Sequence, residues 1–171
     1  MNSLCDKEVI AALYEASCAG VKIEMVIRGI CCLKAGVPGL SENISVHSIV
    51  GNFLEHSRIF IFDNGGSTEV YMGSADWMPR NLDKRVEIAF PVEDEKLKEE
   101  VCHILKTELE DNVKAHILQP GGTYEKVDRR GKARVNSQEQ FCEEAIAMAE
   151  QAMKNSQPQN ERVFIPVESN N

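Results

Sequence analysis

The chain has 171 residues, enough for one domain with a sizeable core. It carries 19 basic and 27 acidic residues, and the net charge of -8 excludes a global attraction to nucleic acid or anionic membranes, although a local basic cluster can still bind a polyanion. No apolar run reaches the roughly 18 residues that a membrane span needs, and no secretory pattern stands at the N-terminus, so we predict a cytosolic protein without a transmembrane segment.

The N-terminal third predicts one helix and two strands. Asp6 can cap a helix that runs to about Cys18, and Gly20 can end it. The run VKIEMVIRGI, residues 21–30, is apolar and rich in β-branched side chains, which predicts a strand buried on both faces. A Gly- and Pro-containing loop separates it from a second strand over residues 44–50.

The middle of the chain predicts a hairpin and a further strand. RIFIFD, residues 58–63, and TEVYMG, residues 68–73, have period-2 patterns and are joined by the turn NGGS. RVEIAFPV, residues 85–92, predicts another strand, which ends at Pro91.

Two helical patterns follow, over residues 94–111 and 137–154. The first has an apolar stripe of four residues: Leu97, Val101, Ile104 and Leu105. The resulting fold class is α/β, a mixed β-sheet flanked by helices. We assign residues 1–154 to this domain and residues 155–171 to a flexible C-terminal tail.

The six cysteines stand at positions 5, 18, 31, 32, 102 and 142 and include no Cys-x-x-Cys pair. We expect reduced and mostly buried thiols. A zinc site is disfavoured, because the ligand spacing typical of such sites is missing.

The first candidate site is the pattern H-x-R-x4-D, formed by His56, Arg58 and Asp63. After the hairpin it is followed by three more polar or small residues: Gly73, Ser74 and Asp76. On a strand, positions 56 and 58 face the same way, so an imidazole and a guanidinium could meet one phosphate. Imidazole can exchange a proton near neutrality, and arginine offers a fork of donors to phosphate oxygens. The spacing alone equally allows two ordinary surface residues at the start of a strand.

Arg28 is the second candidate, at the end of an apolar strand. An unpaired charge is costly to bury, so its side chain should emerge at the carboxyl end of the strand, where open α/β sheets bind ligands. A structural salt bridge is the alternative.

The third candidate is the segment SADWMPRNLDKRVE. If SADW opens a short helix, the free amides form an anion site with Arg80 beside it. The alternative is a loop network satisfied within itself, which would use Arg80, Asn81, Asp83, Arg85 and Glu87.

Further along the chain, basic residues surround a glycine, and this pattern predicts a flexible loop. This basic group is either solvated or guides a polyanion. Its members are Lys126, Arg129, Arg130, Lys132 and Arg134.

Long runs of the sequence, among them RGICCL, VPGLSENI, FLEHSRI and SADWMPRN, resemble the C-terminal catalytic domain of bacterial polyphosphate kinase. The similarity extends from Met1 to about Phe141. It implies a phospholipase D-like fold, in which H-x-R-x4-D and GSAD resemble that superfamily's H-x-K-x4-D and GSxN. Arg58 then stands in place of lysine and Asp76 in place of asparagine.

The resemblance also implies a division of roles. In the family, a histidine of the preceding homologous domain accepts the terminal phosphate of ATP and then passes it to polyphosphate. That histidine is not in this sequence. His56 matches the family's second active-site histidine, a candidate general acid, and Arg28 matches an arginine that contacts nucleotide phosphates. We add Arg58 and Arg80 as further candidate phosphate contacts.

The resemblance implies the cofactors and partners as well. They are ATP or ADP, Mg²⁺ with ligands outside this chain, and polyphosphate. The N-terminal, head and first catalytic domains of the family would be further partners, in a cytoplasmic homo-oligomer that can associate peripherally with membranes, with no nucleic acid. We accordingly expect the chain to be a fragment that is inactive alone.

Four residues depart from the family pattern. Ser45, His47 and Asn52 stand where many members are expected to carry arginine, which would weaken a path for polyphosphate. Ala35 stands where proline is common.

Two other functions stay open. Some phospholipase D-like nucleases carry one histidine motif per chain and pair two copies into a site, which predicts a dimeric phosphodiesterase. A non-catalytic module that binds nucleotide or polyphosphate is the other.

Overall fold

The computed structural model describes residues 1–155. It contains the helices α1 Lys7–Cys18, α2 Pro79–Lys84, α3 Glu95–Glu110 and α4 Ser137–Asn155, and the strands β1 Ile23–Val26, β2 Ile44–Ile49, β3 Ile59–Phe62, β4 Glu69–Gly73, β5 Ala89–Pro91, β6 Ala115–Leu118 and β7 Tyr124–Lys126. The chain divides into two compact units, the first of which, Met1–Gln138, holds all the strands. Except for Asn155, the predicted tail lies outside the described residues.

The strands form two sheets, with the orders β1-β2-β6-β7 and β3-β4-β5. β1 and β2 are parallel, and all other neighbours are antiparallel. The predicted α/β class is confirmed, but the described strands make two sheets rather than one. β6 and β7 were not predicted, because both are short and the second, YEK, is fully polar or aromatic and exposed.

Two helix starts follow directly from the sequence. The Asp6 carboxylate accepts from the amides of Glu8 at 3.1 Å and Val9 at 3.0 Å, which confirms the predicted cap of α1. Asp94 caps α3 in the same way. Leu97 does not join the expected buried stripe of α3, since it lies in the first turn and is 52% exposed.

Two predicted strands are shorter than expected. β1 covers four residues of 21–30, and β5 covers three of 85–92. In the part of the second that precedes β5, the carboxylate of Glu87 accepts hydrogen bonds from Ser74 and Asn81, and Val86 is fully exposed. The predicted hairpin is confirmed as β3 and β4.

The buried apolar residues of the first unit form three clusters. The largest packs α1 and β1 around Leu4 and Ile27, both fully buried. A second lies between β2, β6 and α3, and a third between the hairpin and α3. All six cysteines are free, and none is fully buried, so the expectation of mostly buried thiols is wrong. No helix within residues 1–155 has the length and apolar character needed to cross a bilayer.

Candidate functional site

Arg58 and Asp76 form a buried ion pair between the start of β3 and the loop after β4. Nε and Nη2 of Arg58 donate to the two carboxylate oxygens at 3.2 and 2.9 Å. The residues are only 7% and 6% exposed. Burial raises the pKa of the Asp76 carboxyl, but the hydrogen bonds from Arg58 and from two backbone amides outweigh this and lower the pKa overall.

His56 does not share a strand face with Arg58, as the spacing had predicted. β3 begins only at Ile59, so His56 lies in the preceding irregular segment, where its side chain is exposed. Nη1 of Arg58 donates to the backbone carbonyl of His56. The guanidinium therefore faces the protein interior and holds the histidine by its main chain, instead of meeting a ligand beside the imidazole.

Arg28 lies two residues beyond the end of β1 and is half-buried. Its Nη2 donates to Oδ1 of Asn2, and its Nε is buried without a hydrogen-bond partner. No salt bridge involves this residue within the described part of the chain, so the structural ion pair considered as its alternative role is absent there. A partly buried cation held by a neutral amide keeps its charge available for an anion.

Asn2 connects Arg28 to the ion pair of Arg58 and Asp76. Its backbone amide donates to Asp76 Oδ1 at 2.8 Å, while its side-chain oxygen accepts from Arg28. A continuous hydrogen-bonded path thus runs from Arg28 through Asn2, Asp76 and Arg58 to the His56 carbonyl. Sequence reasoning missed Asn2, because a single asparagine near the N-terminus has no motif that marks it.

The segment before His56 is held by Gln138, another residue that the sequence did not reveal. The Gln138 side chain accepts from the Phe53 amide at 3.1 Å and donates to the Phe53 carbonyl at 2.8 Å and to Glu55 at 2.6 Å. Gly51 allows this approach, since a Cβ at that position would lie 2.2 Å from the Gln138 oxygen. Gln138 is 85 residues from Phe53 in sequence, so only the fold brings them together.

The predicted anion site at SADW is not formed. The helix starts at Pro79 rather than in SADW, and three of the amides are already bonded: Ser74 to Ile88, Trp77 to Ser3 and Met78 to Asp76. Arg80 is exposed, so its predicted phosphate contact stays a prediction.

Two members of the basic group of residues 126–134 have defined positions in the structure. Lys126 belongs to β7, and Arg130 forms an exposed ion pair with Asp128 at 2.6 Å. Of the four residues expected to depart from the family pattern, Ser45 and His47 lie on β2, Asn52 follows that strand, and Ala35 lies in the loop between β1 and β2. Among them, burial lowers the pKa of the half-buried His47, and its Nδ1 has no hydrogen-bond partner.

The described residues contain no group of three His, Cys, Asp or Glu side chains that could hold a metal ion. The carboxylate of Asp76, which lies on the path between Arg28 and His56, already accepts from Arg58 and from the amides of Asn2 and Ser3. Since Mg²⁺ commonly uses only one or two carboxylates together with substrate phosphates, the expectation that its ligands lie outside this chain stays a prediction.

The fold matches a solved structure closely. A crystal structure of polyphosphate kinase from Porphyromonas gingivalis has a TM-score of 0.83 and 43% identity to this chain, over 88% of this chain and 23% of that one. The α/β sheets with flanking helices are those of a phospholipase D-like domain.

Sequence comparisons agree with this class. A family model described as polyphosphate kinase C-terminal domain 2 matches residues 1–138. A polyphosphate kinase of Lactiplantibacillus plantarum is 48% identical over 174 residues, which cover 99% of this chain and 24% of that protein. Polyphosphate kinase 1 of Chlorobaculum tepidum is 58% identical over 141 residues, which cover 82% of this chain and 20% of that protein.

The chain belongs to the polyphosphate kinase family, in which it corresponds to the C-terminal domain 2. It spans about a quarter or less of the length of these relatives.

Proposed function

We propose that the chain is the C-terminal catalytic part of a cytoplasmic polyphosphate kinase, which reversibly transfers the terminal phosphate of ATP to polyphosphate. The observation that carries this proposal is the hydrogen-bonded path that joins Arg28 to the segment bearing His56. Membership in the polyphosphate kinase family supports the reaction type.

Arg28 binds the phosphates of the nucleotide in this proposal. Its Nε has no protein partner, and Nη2 is held in place by a neutral side chain, so the guanidinium is oriented without being neutralised. Phosphate oxygens are the acceptors for which such a fork of donors is suited. Phosphoryl transfer depends mainly on positioning and on charge stabilisation, and Arg28 supplies both.

His56 acts as the general acid for the leaving group. The bond between the γ-phosphorus and its bridging oxygen breaks, a new bond joins that phosphorus to a histidine nitrogen of the preceding catalytic domain, and ADP leaves with a proton from the His56 imidazole. In the second step the terminal oxygen of polyphosphate attacks that phosphorus, the bond between phosphorus and the histidine nitrogen breaks, and the free histidine of the preceding domain is released. His56 regains its proton from solvent. The phosphohistidine and the Mg²⁺ ligands belong to the other domains of the enzyme in this proposal.

Arg58 is a positioning residue rather than a phosphate ligand here, because its guanidinium is buried against Asp76. The same observation disfavours a dimeric phosphodiesterase, since the cation at the motif lysine position does not face solvent. The exposed Arg80 is retained as a peripheral phosphate contact. For the 171-residue chain by itself we expect weak anion binding and no synthesis of polyphosphate.

A chimera tests the proposal directly. The segment of the Lactiplantibacillus plantarum enzyme that matches this chain is replaced by the 171 residues, and ATP-dependent polyphosphate synthesis is measured. We expect an active enzyme, in which His56→Ala lowers kcat by about 10² to 10⁴-fold. Arg28→Ala should raise KM for ATP and lower kcat, while Lys106→Ala, which removes an exposed cation of α3, should change neither. Full synthesis by the His56→Ala chimera would refute the assigned role.

A further inference from the structure

The segment before α1 lies parallel to the segment that follows β1. The Leu4 amide donates to the Ile30 carbonyl at 2.8 Å, and the Cys32 amide donates to the Leu4 carbonyl at 2.8 Å. These two hydrogen bonds make Leu4 and Cys31 the partners of a parallel bridge. Because both segments run in the same direction, the next pair of residues in this register is Cys5 and Cys32.

The two thiols of this pair lie on the same face of the two segments. Leu4 is fully buried in the largest apolar cluster, and Cys31 packs against that cluster. Side chains of an extended segment alternate between its two faces, so Cys5 and Cys32 lie together on the face opposite to Leu4 and Cys31. Cys32 is exposed and Cys5 is half-buried. The pair is therefore accessible to a small reagent through Cys32.

The spacing of the pair fits a disulfide bond. Residues opposite each other on neighbouring strands have Cα atoms about 4.8 Å apart. A disulfide joins residues whose Cα atoms are about 4.4 to 6.8 Å apart. The two thiols also interact electrostatically, since burial, followed by the neighbouring Cys32 thiol, raises the pKa of the Cys5 thiol. The Cys5 amide donates to the Trp77 carbonyl at 2.9 Å, which fixes the main chain at this position.

We propose that Cys5 and Cys32 form a redox-sensitive pair, which a low-molecular-weight disulfide such as oxidised glutathione converts into an intramolecular disulfide. The thiols stay free in a reducing glutathione pool and are joined when that pool becomes oxidised. The proposal rests on the register of the two segments and on the exposure of Cys32, and it does not depend on the catalytic roles of Arg28 and His56.

The disulfide forms in two thiol–disulfide exchanges. The Cys32 thiol gives its proton to solvent and attacks one sulfur of oxidised glutathione, so that the glutathione disulfide breaks and one glutathione leaves. The Cys5 thiolate then attacks the Cys32 sulfur of the mixed disulfide, and the second glutathione leaves. Two electrons pass from the protein thiols to oxidised glutathione, and the two released thiolates take up two protons. Cys32 is the first nucleophile because it is exposed, whereas the raised pKa of Cys5 suits the second step, in which the partner sulfur is already beside it.

The disulfide would fasten the segment before α1 to the end of β1, and it would close a loop over residues 5–32. Asn2 belongs to the fastened segment. Its carbonyl accepts from the Gly29 amide at 2.8 Å, its side-chain oxygen accepts from Arg28, and its amide donates to Asp76. Oxidation should therefore stabilise the contacts that hold Arg28 in place.

Oxidation of the 171-residue chain tests the pair. The parent protein carries Cys18→Ser and Cys142→Ser, which remove two exposed thiols elsewhere. It is incubated with oxidised glutathione and digested without reduction, and its peptides are identified by mass spectrometry. We expect one disulfide, between Cys5 and Cys32, and a Tm that rises by roughly 5 to 10 °C and returns to its starting value with dithiothreitol. Hydrogen exchange at the amides of Leu4 and Gly29 should slow in the oxidised protein.

Single substitutions in this parent separate the roles of the two thiols. Cys5→Ser should keep glutathione bound to Cys32 as a lasting mixed disulfide, because the second thiol is missing. Cys32→Ser should abolish the rise in Tm, while the matched control Cys31→Ser should form the disulfide as the parent does. The proposal is overturned if Cys31 is a partner in the disulfide, if the parent accumulates as much glutathione adduct as Cys5→Ser, if the disulfides join separate chains, or if oxidation lowers the Tm.

Discussion

Arg58 and Asp76 hold each other through two hydrogen bonds, and Asp76 also accepts from the amides of Asn2 and Ser3. This places one carboxylate at the junction of the N-terminal segment, the loop after β4 and the segment that carries His56. Loss of either charge should therefore affect the shape of the site as well as the stability of the domain.

Asp76→Asn and Arg58→Met, each alone, should lower the free energy of unfolding by about 3 to 5 kcal/mol, because each leaves a buried charge without its partner. Urea unfolding followed by circular dichroism measures this. Glu95→Gln, which breaks the pair between the exposed Glu95 and the half-buried Lys98, is the matched control and should cost below about 1 kcal/mol. If Asp76→Asn were no more harmful than Glu95→Gln, the ion pair would not organise the site.

Arg28→Met should lower anion binding but not stability, in contrast to the two ion-pair variants. Its side chain is half-buried and its Nε has no partner, so replacing it with an apolar residue should leave stability unchanged or raise it by up to about 1 kcal/mol. Binding of tripolyphosphate to the 171-residue chain should fall at the same time, as measured by calorimetry at low salt. A clear loss of stability together with unchanged anion binding would mean that Arg28 is structural.

Glu108 should make stability depend on pH. Burial, followed by the charge of Glu55, raises the pKa of the Glu108 carboxyl from 4.5 to about 7, although the nearby Met1 ammonium opposes this. Between these two values the unfolded chain releases the proton and the folded chain keeps it. Stability should therefore fall as pH rises from about 4.5 to 7, by up to about 3 kcal/mol, and then level off.

Glu108→Gln should remove this fall, so the variant gains stability relative to the parent at pH 8 and not at pH 4. Urea unfolding at a series of pH values measures the difference between the two proteins. A difference that does not change with pH would show that Glu108 does not titrate in this range.

Gly51→Ala should disturb the segment before His56. The added Cβ would meet the Gln138 oxygen at 2.2 Å, so the Gln138 amide must leave its bonds with Phe53 and Glu55. We expect a loss of about 1 to 3 kcal/mol and faster hydrogen exchange at Phe53. Gln138→Ala alone should speed the same exchange, and adding Gly51→Ala to it should cost little more. Additive losses in the double variant would mean that the two residues act independently.

Local patterns in the sequence were sufficient to predict α1, α3, α4 and the hairpin, because capping residues, 3.6-residue periodicity and a glycine-rich turn act within a few residues of each other. The family motifs could likewise be recognised in the sequence, and they identified Arg28 and His56 as candidates. Both kinds of signal depend on residues that are close together in the chain.

Tertiary structure alone decided what these residues contact. Asp76 meets Arg58 across 18 residues and the Asn2 amide across 74, and Gln138 meets Phe53 across 85. No local sequence pattern indicates such pairings, because a hydrogen bond between distant residues depends on how whole elements pack. For the same reason the sequence predicted one sheet where there are two, and an exposed guanidinium at Arg58 where the fold buries an ion pair.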